Sequence, residues 1–330
     1  MRKLFLLVIV SLSVCCSCAY ARVTVERLNY EGWADSYRMS NGSVSIVVVT
    51  EIGGRIMEYS LDGQNVLWRN VSELGQIYPL SNELHNYGGC KVWLTPEDQW
   101  SAAKDPIIDF GRVNVERLQS PKGLPILRVI GGPSLVSGGL IIREISMDDS
   151  GAVTFKQTLR NISSKPIEYG LWDITQISCP SLIAFPIRSD SRFDDGVQYI
   201  VAESKNSKQF SVRDGMAITN YAGEFGKIGA DSNGPWMIGF EGNLAFVKQF
   251  GAMVKGGDYP DGGCSVEVYT ADARQNYMQM ELLGPLTTLQ PGGETSLIEH
   301  WQLLRLTQSV KDEKGVVKAV KGMQGKGWIP

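Results

Sequence analysis

Apolar and polar positions alternate with period two through most of the chain. Residues 44–49 (VSIVVV) read as a strand, and Ile52-Gly53-Gly54-Arg55-Ile56 leads into a second that ends at Leu61. Asp62-Gly63 supplies a hairpin turn before a third strand at 65–68. The pattern returns at 141–147, turns at Asp149-Ser150-Gly151, and continues over 152–159. After a turn over 161–166 come strands at 167–177, 236–240, 244–250, 266–270, 277–283 and 296–306. Helical spacing shows only near 310–320, inside a lysine-rich end (311–326) that reads as a solvated tail. No segment repeats at a fixed period and no linker divides the chain, which sets a propeller aside. The pattern predicts an all-β fold: one large antiparallel domain over residues 22–308, built of two packed sheets, with a C-terminal tail at 309–330.

Composition agrees with that picture. Of 330 residues, 43% are hydrophobic and 36 are glycine, which suits a turn-rich β protein with a large core. The 32 basic and 35 acidic residues leave a net charge of −3 with no basic block, so nucleic acid is not an expected partner. At the N-terminus, Arg2 and Lys3 precede an apolar run from Leu4 to Val14, and Ala19-Tyr20-Ala21 offers a small-x-small cleavage site. This reads as a signal peptide over residues 1–21, so the mature protein is expected to be periplasmic or secreted. Cys15, Cys16 and Cys18 open an alternative, a lipid anchor on a processed cysteine. No later run is long and apolar enough to span a bilayer. Three cysteines would remain after cleavage, Cys90, Cys179 and Cys264, without the spacing of a structural zinc site.

Three stretches carry candidate chemistry. In "NELHNYGGCKVWLTPEDQW" (82–100), read as a glycine-containing loop, Trp93 and Trp100 offer flat faces for a sugar ring, and His85, Lys91, Glu97 and Gln99 could bond its hydroxyls. In "YPDGGCSVEVYT" (259–270), Glu267 and Tyr269 alternate onto one face of a strand, while Asp261 lacks the partners of a calcium loop. In "YMQMELLGPLTTLQPGGE" (277–294), Glu281 sits among Met280, Leu282 and Leu283, where apolar neighbours favour a carboxyl group suited to proton transfer. Each has a bland alternative: core tryptophans, a turn-capping histidine and outward glutamates. Nucleotide-binding, serine-hydrolase and P-loop signatures are absent, so neither a cofactor nor a resident metal is expected.

In sequence order, "EIGGRIMEYSLDGQNVLW", "NYGGCKVWLTPEDQW", "YGLWDITQIS", "YPDGGCSVEVYT" and "MELLGPLTTLQPGGETSLIEHWQL" resemble the galactose-mutarotase-like β-supersandwich proteins. Within these the chain resembles an uncharacterised, often secreted bacterial family near the aldose 1-epimerases. The resemblance implies a sugar or oligosaccharide ligand. It also implies a strand glutamate acting as general base, matched by Glu281, with histidine as the acid. His85 falls near the first histidine position, but the strand expected to carry the second reads Leu171-Trp172-Asp173-Ile174-Thr175-Gln176. The acid half would then rest on His85, Asp173 or Lys91. A pocket lined by Arg55, His85, Lys91, Trp93, Trp172, Asp173, Glu267, Tyr269 and Glu281 is therefore expected. Three functions fit: an exported carbohydrate-binding protein, an aldose 1-epimerase using Glu281 and His85, or a non-catalytic structural protein of the envelope.

Overall fold

A computed structural model describes residues 22–330 apart from Asn82, Asp98, residues 100–104 and Pro180. The expected signal peptide and Trp100 lie outside the described residues. Two antiparallel sheets pack face to face, one of twelve strands and one of ten among the described residues. In the larger sheet the strands Cys90–Thr95, Ile167–Ser178, Tyr277–Leu283, Val266–Thr270 and Gly226–Ala230 lie side by side in that order. The smaller sheet runs through Leu182–Pro186, Trp236–Glu241, Leu244–Phe250, Glu294–Arg305, Val153–Asn161 and Gly139–Met147. The supersandwich expectation holds.

The inner faces enclose an apolar core that includes Ile46, Tyr59, Leu127, Phe155, Phe246 and Trp301. The Trp301 ring centroid lies 4.4 Å from that of Phe155 and 5.0 Å from that of Phe246. Each such ring adds roughly 1.5–3 kcal/mol through burial. Amid this core lies an ionic network. Lys248 pairs with Asp173 and, at 3.2 Å, with Glu299. Gln157 donates to both carboxylates, and Cys90 Sγ donates to Asp173 at 3.2 Å.

Two expectations are corrected. The stretch expected to be a loop holds a central strand, Cys90–Thr95, buried on both faces except at Trp93. Gly88-Gly89 before it and Pro96 after it are turn signals that mask so short a strand. Gly88 and Gly89 bring the chain into the sheet at φ +93° and +70°. A Cβ at Gly88 would stand 2.4 Å from the Trp68 carbonyl oxygen, and one at Gly89 2.2 Å from that of Ile56, so the close approach requires glycine. The lysine-rich end, expected to be solvated, forms the helix Glu313–Gly325, capped by Asp312 accepting from the Gly315 amide. Its Val316, Val320 and Met323 share one face and pack with Leu182, Ile218 and Ile238 of the smaller sheet.

Candidate functional site

Register places the candidate residues. Residues directly opposite in antiparallel strands project to the same side of a sheet, so each rung of the larger sheet presents a row of side chains. One rung reads Lys91, Ile174, Glu281, Glu267, Gly229. The next reads Gln176, Gln279, Tyr269, Lys227, and on the other side Trp93 opposes Trp172. These rows floor a cleft of ≈ 480 Å³ on the outer face of the sheet, within the range of small-molecule sites.

Of the nine expected site residues, His85, Lys91, Trp93, Trp172, Tyr269 and Glu281 line this cleft. Arg55 and Glu267 are wholly buried and support residues that line it. Asp173 does not belong to the site. It is one residue out of phase with Trp172 and Ile174, so its carboxylate points into the core network with Lys248. The acid role that the resemblance left open to it is thereby withdrawn.

Glu281 is held asymmetrically. Its Oε2 accepts from Trp172 Nε1 at 2.9 Å and lies 3.2 Å from Lys227 Nζ. Its Oε1 is buried without a hydrogen-bond partner among the described residues. Lys227 Nζ also lies 2.6 Å from Glu267 Oε2 and 4.7 Å from the centroid of the Trp172 ring. Burial pushes the Glu267 carboxyl well above its ordinary range, opposed by Lys227 and reinforced by Glu281 and Asp261. Burial alone would lower the Lys227 ammonium, but Glu281 and Glu267 outweigh it, so this group stays charged.

The other end is organised by Asp109, in the short helix Pro106–Phe110. Its Oδ1 accepts from Arg55 Nη2 at 2.8 Å and from Trp93 Nε1 at 2.7 Å. Burial raises the Asp109 carboxyl, yet the charges of Lys91 and Arg55 and those two bonds hold it below its usual range. Lys91 Nζ stands over the Trp93 ring, 3.4 Å from its centroid. Burial, partly offset by Asp109 and reinforced by Arg55, pushes this amine down to about 7. At the rim, His85 stacks on Tyr78 with centroids 3.8 Å apart and planes 5° from parallel, with Phe110 edge-on to it.

Sequence reading missed Lys227, Asp109, Gln176 and Tyr277, all of which line the cleft. The signals were present but faint. Lys227 is the only charge in a short strand of glycines and small residues, GKIGA, and Asp109 is the lone acid in PIIDF. A charged residue enclosed by an apolar run marks a side chain that must find a partner once buried.

The model of the domain of unknown function DUF4380 matches residues 35–304. Among solved structures, a protein of Klebsiella pneumoniae provisionally designated an aldose 1-epimerase superposes with a TM-score of 0.57. It shares 15% identity, over 92% of this chain and 87% of that one. A galactose mutarotase-like protein of Clostridium acetobutylicum gives 0.52 at 10% identity, covering 86% and 99%. The Slr1438 protein of Synechocystis sp. PCC 6803 gives 0.57 at 14%, covering 81% and 94%. At these identities the likeness establishes the galactose mutarotase-like fold. No curated protein matches the sequence significantly.

Proposed function

The chain belongs to the DUF4380 family, and from that premise and the cleft we propose that it is an exported protein that binds a sugar through the outer face of its larger sheet. One observation carries this reading: Glu281 Oε1 is buried with no partner among the described residues, beside the indoles of Trp172 and Trp93. A buried carboxylate oxygen is costly unless a donor reaches it, and a sugar hydroxyl is such a donor. The two indoles, 5.6 Å apart and nearly perpendicular, would receive the C–H faces of a pyranose ring. Isothermal titration against a panel of mono- and oligosaccharides tests the proposal, and no heat with any of them overturns it. Export is tested by N-terminal sequencing of protein recovered from the periplasm and medium. A chain that retains residues 1–21 in the cytoplasm overturns that part.

A second reading, aldose 1-epimerase, is favoured by finding on one rung that carboxylate and a Lys91 amine pushed down to about 7 by burial. Glu281 Oε1 would take the proton of the anomeric hydroxyl while His85 or Lys91 gives one to the ring oxygen. The bond from C1 to the ring oxygen breaks, leaving an open-chain aldehyde that recloses on its other face. Polarimetry on freshly dissolved α-anomers decides it: wild type no faster than Glu281→Gln rules catalysis out.

A further inference from the structure

The two ends of the cleft satisfy their cations unequally. At one end Lys227 faces two carboxylates, Glu267 and Glu281. At the other, Arg55 and Lys91 face a single carboxylate, Asp109. Asp109 Oδ1 accepts from Arg55 and Trp93, its Oδ2 is buried without a hydrogen bond, and Lys91 Nζ stands 3.8 Å from Oδ1, beyond hydrogen-bond distance. Among the described residues Lys91 Nζ has no acceptor within bonding reach. Only 8% of the residue is exposed, in the floor of the cleft. The remaining acids that act on it are Glu281, across Ile174 on the same rung, and the exposed Glu97. A buried ammonium without a hydrogen-bonded anion is an unsatisfied group. Its lowered proton affinity is the consequence, with burial as the main cause and Arg55 acting in the same direction.

We propose that this end of the cleft binds the carboxylate of a sugar acid, with Lys91 as the direct partner and the ring lying towards Glu281. The inference rests on the sugar-pocket reading and names its ligand class. A carboxylate supplies the single anion that a charged Lys91 lacks, whereas a dianionic phosphate would exceed it. At the far end Lys227 is already engaged by Glu267 and Glu281, so orientation follows: acid group at Lys91, anomeric hydroxyl at Glu281. Two strand spacings separate the strands that carry these residues, roughly 10 Å, which leaves room for one pyranose ring between its two end groups.

The test is isothermal titration of the full mature chain at pH 8 with glucuronate and galacturonate, their parent hexoses, and glucose 6-phosphate. Two buffers of different ionisation enthalpy report proton uptake. At least one uronate is expected to bind tenfold or more tightly than its parent hexose. Its binding should take up a proton, because the carboxylate restores charge to an amine that is mostly neutral above about 7. In Lys91→Gln the ratio of uronate to hexose affinity should fall to about one. The inference is overturned if hexose binds as tightly as uronate, if the phosphate binds more tightly, or if Lys91→Gln keeps the preference, and each of these leaves the sugar pocket standing. If no sugar binds, both readings fall. The proton count on wild type is independent of how the variant folds.

Discussion

The Trp172 indole donates to Glu281 Oε2 across 2.9 Å, while Oε1 of the same carboxylate is buried without a hydrogen-bond partner among the described residues. A hydrogen bond to a carboxylate contributes about 1.5–3 kcal/mol. Trp172→Phe keeps an aromatic face but loses the donor, leaving Oε2 to Lys227 alone. Sugar affinity should drop roughly ten- to a hundredfold, measured by titration with whichever sugar the panel identifies. An affinity within twofold of wild type would show that the indole does not orient the carboxylate.

Behind the cleft, Glu299 makes stability depend on pH. Burial, reinforced by Asp173 and opposed by Lys248, pushes its carboxyl up to about 7. In the unfolded chain it titrates near ~4.3. Between those values the folded state holds a proton that the unfolded chain has released, so stability falls as pH rises through the window and levels off above it. Asp173 is held below its ordinary range: burial is outweighed by Lys248, Gln157 and Arg143, so its contribution is lost only in stronger acid. The Lys91 amine, lowered to about 7, acts on the alkaline side. The thermal midpoint should therefore decline from pH 5 to 7.5, and the decline should shrink in Glu299→Gln. An equal slope in the two proteins would exclude Glu299 as the source.

How much of this was legible in the sequence follows from the pattern within each element and the residues that flank it. Val266–Thr270 and Tyr277–Leu283 are almost wholly buried, yet polar and apolar residues alternate along them, which is why they read as strands and why Glu267 and Tyr269 read as sharing a face. The Cys90–Thr95 strand is just as buried, but it lies between Gly88-Gly89 and Pro96, and these flanking breakers made its residues resemble a loop. Asp173 was misassigned because neighbouring strand residues face opposite ways and sequence alone does not say which face is the cleft. Lys227 and Asp109 meet the cleft only through strand order and a short helix, and neither is encoded locally.

Glycine at position 88 is expected to be indispensable for placing His85 and Lys91, and a comparison separates the reasons. Gly63 and Gly88 both hold positive φ, +80° and +93°. An alanine at either position incurs left-handed strain of about 1–2 kcal/mol. A Cβ at Gly63 meets nothing within 4 Å, whereas at Gly88 it would stand 2.4 Å from the Trp68 carbonyl oxygen. In urea unfolding Gly63→Ala should lose only the strain, and Gly88→Ala should lose distinctly more. Equal losses would mean that the 88–89 turn relaxes freely.

The C-terminal helix should behave as part of the core of the smaller sheet rather than as an appendage. Met323, 1% exposed, packs with Val316 and Val320 against strand residues that include Leu182 and Ile238. Truncating it removes apolar contact and leaves a cavity, so Met323→Ala should lower unfolding free energy by about 2–5 kcal/mol. Lys321, two residues earlier on the solvent side, makes one exposed ion pair with Asp214. Such pairs contribute little, so Lys321→Ala should stay within about 0.5 kcal/mol of wild type. Chemical denaturation of the two variants measures the contrast. If Met323→Ala were as mild as Lys321→Ala, the helix would not be docked on the sheet in solution.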